Sequence, residues 1–88
     1  MSYGFVLSKP VERYLGTLDA GARARPARQI DALCINPFGA DSYALHGRLA
    51  GRRTCQVGGL RIVFGVDVAA QILHVSLVGP RGDIYKGR

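Results

Sequence analysis

The second half of this 88-residue chain carries seven basic side chains, Arg48, Arg52, Arg53, Arg61, Arg81, Lys86 and Arg88, interleaved with two phenols, Tyr43 and Tyr85. A guanidinium holds phosphate oxygens through a two-pronged fork. A phenol stacks on a base or moves a proton. The chemistry these types suggest is therefore phosphate chemistry. Arg61 is the most informative position. It stands near the start of an otherwise apolar run, LRIVFGV, and a permanently charged group is costly to bury unpaired. At period two its face-mates are Val63 and Gly65, and the missing side chain of Gly65 lets a ligand or another backbone approach. Two roles fit: a phosphate clamp, or a structural ion pair with Asp67 or Asp83. Arg81 and Tyr85 directly follow the last apolar run, so a strand there positions both. Arg81 then suits stabilisation of phosphate charge in a transition state. The alternative is an ordinary surface arginine and an amphipathic tyrosine at the core edge.

Other chemistries find little to work with. No Ser/His/Asp arrangement is suggested, and six scattered acids offer no evident acid–base couple. Gly58-Gly59 lacks the strand-to-helix context and the lysine of a phosphate loop. His46 and His74 stand alone, and neither CxxC nor HExxH occurs, so no metal site and no cofactor are expected. Cys34 and Cys55 sit among apolar neighbours and read as two buried reduced thiols. His74 reads as a half-buried neutral histidine, and His46 as a solvent-exposed one. Arg23, Arg25 and Arg28 read as a solvated helix face, or as an extension of a nucleic-acid footprint.

The elements that must position these groups follow from pattern. Tyr3 to Leu7 is a short strand. Ser8 is an N-cap, with Pro10 early in the next turn, and Val11, Leu15 and Leu18 give a short helix over Lys9–Thr17. Asp19 is a second N-cap. Ala27, Ile30, Leu33 and Cys34 form the apolar stripe of a second helix, which tolerates Pro26 only if it starts near Arg23; Asn36-Pro37 ends it. Phe38 to Gly51 reads as a loop, long for a compact domain. Arg52–Val57, a Gly58-Gly59 turn and Leu60–Val66 form a hairpin. Gln71–Val78 is the last strand, with Leu73, Val75 and Leu77 on one face and Ile72, His74 and Ser76 on the other. The expected architecture is α+β: one domain over 1–88, with two N-terminal helices on one face of a small, mostly antiparallel four-stranded sheet.

Composition sets the outer limits. With 48% apolar and 20% charged residues the chain is globular, and its length allows one modest core. No apolar run approaches the ~18 residues of a membrane span, and Lys9, Pro10 and Glu12 arrive too early for a signal peptide, so a cytoplasmic protein is expected. The net charge is +6. Residues 1–41 hold five basic and four acidic side chains and residues 42–88 hold seven and two, so the excess lies in the C-terminal half.

Taken together, NPF at 36–38, ALHG at 44–47, RRTCQVGGLRIVF at 52–64 and VSLVGPRGDIY at 75–85, preceded by two helices, resemble the toxins of the RelE/ParE superfamily in bacterial type II toxin–antitoxin systems. The resemblance covers nearly the whole chain. It implies helices packed on one face of a curved antiparallel sheet. For the RelE-like branch it also implies ribosome-dependent mRNA endonuclease activity, in which the 2′-hydroxyl attacks the adjacent phosphate without a metal. Carried over by motif, Arg61, Arg81 and Tyr85 become the catalytic set. Arg52, Arg53, Arg48 and Lys86 become RNA-binding residues. The implied partners are a cognate antitoxin with an acidic, partly disordered segment, the ribosome and mRNA. The chain departs from the pattern at Thr54 and Gln56, where the family often has cations, and at Pro80, where it often has histidine. Those departures suit a slower enzyme, or a ParE-like toxin that inhibits DNA gyrase and cleaves nothing.

Overall fold

The computed structural model describes residues 2–39 and 42–80. The order is β1 (Gly4–Leu7), α1 (Lys9–Gly16), α2 (Ala20–Ile35), β2 (Ser42–Ala44), a 3-10 turn (Gly47–Leu49), β3 (Arg53–Val57), β4 (Leu60–Asp67) and β5 (Ile72–Pro80). The five strands form one sheet in the order β1-β5-β4-β3-β2. Strands β2 to β5 pair antiparallel, and β1 lies parallel to β5.

The expected four-stranded sheet is thus corrected to a mixed, five-stranded one. The additional strand, β2, is three residues long and lies inside the stretch read as a loop. Glycine and proline around it hide it, and an edge strand needs partners on one side only. Its ladder joins Ser42 to Cys55 and Tyr43 to Thr54.

Both helices start where the sequence puts a cap. The Ser8 hydroxyl accepts from the Val11 amide at 3.4 Å and donates to the Ser76 carbonyl at 3.1 Å, so one side chain caps α1 and ties it to β5. Asp19 Oδ1 accepts from the Ala22 amide at 2.7 Å. Helix α2 therefore begins at Ala20, earlier than Pro26 alone suggests, and carries that proline internally. Pro26 removes one helical hydrogen bond, but its ring is fully buried. It replaces Ala27, which is exposed, on the inner stripe with Ile30, Leu33 and Cys34.

Ile30, Leu33, Cys34 and Val11 pack on Cys55, Ile62, Phe64, Leu73, Val75 and Val78 from the sheet. The expected alternation of β5 holds only as far as Val75. Phe64 faces Val75, but Val63 faces Leu77, so Ser76 has no counterpart on β4. This bulge turns Val78 into the core and leaves Leu77 on the opposite face, 38% exposed. Two-residue Gly58-Gly59 closes the hairpin; Gly58 has φ +58°, as the first position of a type II′ turn requires. A side chain there would also meet the Arg25 guanidinium at 2.9 Å.

Cys34 and Cys55 are both buried and not joined in a disulfide, as their surroundings suggest. Burial, and secondarily the charge of Asp31, pushes the Cys34 thiol up. Its protonated form is favoured by the fold, so that contribution is complete below the ordinary thiol range and is lost as pH rises through the elevated value. Both thiols should alkylate with iodoacetamide at least about tenfold more slowly in the native protein than in urea, read by mass spectrometry. Phe64→Ala should lower unfolding free energy by about 3–5 kcal/mol, and Ser8→Ala by about 1 kcal/mol, both measured by urea titration.

Candidate functional site

One face of the sheet carries the helices. The other presents three rows of side chains across the strands. The first row joins Gln56, Arg61 and Gly79, the second Tyr43, Thr54, Val63 and Leu77, and the third Gly65, His74 and Val6. Strand alternation places Arg52 on this face too, two residues before Thr54.

Arg61 dominates the first row. It is 7% exposed, an unusual burial for a charged residue. One terminal nitrogen donates to the Tyr43 hydroxyl at 2.7 Å, and the other reaches Gln56 Oε1 at 3.5 Å. These two bonds fix the direction of the guanidinium. Asp67, one of the two acids considered for an ion pair, lies six residues further along β4, about 20 Å away at strand rise. The other, Asp83, falls outside the described residues. Thr54 is fully buried on the same face, and its hydroxyl donates to the Ile62 carbonyl at 2.9 Å.

At the far end of the face lies an open depression of about 420 Å³, bordered by Arg52, Gly65, Asp67, His74 and Ser76. Its floor is open because Gly65 has no side chain, and a Cβ there would meet nothing within 4 Å. His74 is exposed on this surface, which corrects the half-buried reading. Its neighbour across the ladder on β4 is Gly65, which offers that side of the ring no side chain.

The basic residues do not all converge. Arg61 and Arg52 share the open face. Arg53 turns to the other side: its Nε and Nη2 donate to the Ser42 hydroxyl at 3.2 and 3.1 Å, and its guanidinium lies 5.1 Å from the Phe38 ring centre. That is a local clasp fastening β2 and the turn after α2 onto the sheet. Arg48 is exposed within the 3-10 turn. Arg81, Tyr85 and Lys86 fall outside the described residues. Tyr43, one of the two phenols named from the sequence, is the partner of Arg61, a role that sequence reasoning did not assign. The alternation of Ser42, Tyr43 and Ala44 marks its strand, but three residues carry little signal. Among the described residues no group of three His, Cys, Asp or Glu side chains is placed to hold a metal ion, and no helix is long and apolar enough to cross a membrane.

No protein-family model matches the sequence, and no curated protein is significantly similar to it. Solved structures are similar in fold. One is from the RelBE2 toxin–antitoxin complex of Mycobacterium tuberculosis, at 19% identity and TM-score 0.79, covering 92% of this chain and all of that one. A second is from the archaeal RelE–RelB complex of Pyrococcus horikoshii, at 22% identity and TM-score 0.78, covering 94% and 99%. A third is the isolated Escherichia coli RelE toxin, at 17% identity and TM-score 0.76, covering 96% and 92%. The architecture is that of the RelE/ParE toxins.

The bond between Tyr43 and Arg61 has a measurable consequence. Tyr43→Phe should lower unfolding free energy by about 1 kcal/mol, and the same substitution in an Arg61→Met background should cost clearly less, because the donor is gone. A double-mutant cycle by urea unfolding reads the difference.

Proposed function

With the RelE-type fold as premise, we propose that this chain is the toxin of a type II toxin–antitoxin pair and cuts messenger RNA on the ribosome. The observation that supports this reading best is the aimed guanidinium of Arg61. It is nearly buried, is oriented by bonds to Tyr43 and Gln56, and sits on the helix-free face of the sheet. β5 ends beside it: Gly79 pairs with Arg61 and Pro80 with Leu60. In the sequence Arg81 directly follows Pro80, and Tyr85 comes four residues after it.

In this mechanism the RNA supplies its own nucleophile. The ribose 2′-oxygen attacks the adjacent phosphorus, the new P–O2′ bond forms, and the P–O5′ bond breaks. A 2′,3′-cyclic phosphate and a 5′-hydroxyl result. The 2′-proton leaves to a base, and the departing 5′-oxygen takes one up. Arg61 and Arg81 hold the non-bridging oxygens as charge develops on them, and each such donor contributes about 3 kcal/mol. Tyr85 orients the 2′-hydroxyl or takes part in its proton transfer, and Arg52 adds a cation to the RNA path. The antitoxin partner is drawn from the toxin–antitoxin complexes among the structural neighbours. A net charge of +6 suits rapid, salt-sensitive capture by an acidic, partly disordered segment.

A second reading has one observation in its favour. Thr54 and Gln56, on the open face beside Arg61, are uncharged. A DNA gyrase inhibitor of ParE type needs no cation-rich RNA path, and induction would then cause DNA damage signalling with intact transcripts. The test induces wild type, Arg61→Ala, Arg81→Ala and Tyr85→Phe, and maps transcript 5′ ends by primer extension. The nuclease reading expects new ends with wild type and at least about a hundredfold fewer with Arg81→Ala. Growth arrest by wild type without new ends would reject it.

A further inference from the structure

The depression at the Gly65 end of the open face is separate from the Arg61 end. Arg61 and Gly65 are four positions apart on β4, which is about 13 Å at strand rise. Both ends are on the same face, so a single strand crossing the Arg61 phosphate site along β4 runs into the depression. The groups bordering it differ in kind from those at Arg61. His74 is exposed and lies across the ladder from Gly65, so one side of its ring is uncovered. On its other side the ladder partner is Val6, itself 50% exposed on this face. Arg52 brings a cation to one margin and Asp67 an exposed carboxylate to another. Asp67 Oδ1 already accepts from the Ala70 amide at 3.0 Å. That bond fixes the carboxylate at the start of the β4–β5 turn and leaves its second oxygen able to accept.

We propose that this depression is a base-recognition subsite that takes a nucleotide flanking the cut and favours bases bearing an amino group over uracil. The proposal rests on the ribonuclease reading and deepens it. A base enters over Gly65, where no side chain obstructs it, and stacks against His74 beside Val6. Arg52 meets the phosphate of that nucleotide. A carboxylate repels phosphate, so Asp67 is ill suited to the backbone. It is well suited to accept from the exocyclic amino group of cytosine, adenine or guanine. Uracil presents carbonyl oxygens at the equivalent positions and leaves the carboxylate facing another acceptor.

The test maps transcript ends across the transcriptome after induction of wild type, Asp67→Asn and His74→Ala, with thermal unfolding of each purified protein as a control. Asparagine keeps the oxygen that accepts from the Ala70 amide and adds a donor that pairs with uracil. Wild-type cuts should therefore be depleted of uracil at one fixed position beside the cut, and Asp67→Asn should abolish or reverse that depletion. His74→Ala should reduce cutting about tenfold or more at all sites. If wild type cuts RNA and all three proteins give the same base distribution and cutting level, the subsite is wrong and the ribonuclease reading stands. If wild type arrests growth and cuts nothing, both fall together.

Discussion

Ile62 faces Val78 and Phe64 faces Val75, so β5 takes three residues where β4 takes two. The sheet's division into an inner and an outer face depends on that extra residue. Without it, period two would place Leu77 in the core and turn Val78 outward, and the last residues of β5 would reach the Arg61 row with reversed faces. With it, Val78 completes the core under the helices, and Gly79 comes to lie beside Arg61. Ser76, the unpaired residue, is held from both sides. Its carbonyl accepts from the Ser8 hydroxyl, and its own hydroxyl donates to the Val63 carbonyl at 3.3 Å. The cap of the first helix and the irregularity of the last strand are therefore joined, and that junction sets the register on which both the core and the outer face rely.

The two faces divide stability from chemistry. The inner face is filled by aliphatic side chains, Phe64 and Cys55, with Val11, Ile30, Leu33 and Cys34 from the helices. The outer face carries Arg61, Tyr43, Gln56, Arg52 and His74, held by backbone pairing and a few side-chain bonds. A buried guanidinium is costly on any face, and the bonds from its terminal nitrogens to Tyr43 and Gln56 offset part of its desolvation cost. Under the proposed nuclease reading its fixed direction matters as much as its charge, since a cation aimed in advance needs no rearrangement when a phosphate arrives.

Much of this was legible in the sequence. The caps at Ser8 and Asp19, the glycine turn, the hairpin, the buried thiols and the shared face of Arg61 and Gly65 all follow from local rules. What escaped has a common physical cause: it depends on partners distant in the chain. Strand β2 is too short to show a period and is defined by its ladder to β3. The bulge at Ser76 is invisible to alternation, which assumes that every residue has a counterpart. Pro26 inside α2 contradicts helix propensity and is accommodated by burial. Arg53 looks like one more cation in a basic run until Phe38 and Ser42, neither adjacent to it in sequence, are found in contact with it. Tyr43 as the partner of Arg61 likewise needs two strand registers to be known at once.

The parallel pairing of β1 with β5 has a consequence in time. Ser8 and Ser76, bonded across this junction, are 68 positions apart, and nearly every other element of the domain lies between them. As a nascent chain emerges, the helices and the β3–β4 hairpin have local partners and form early. The first strand has none until the last one appears. The outer face, whose rows run through β5, is therefore assembled only in the final step of maturation, and a chain interrupted before it would lack that face's ordered rows.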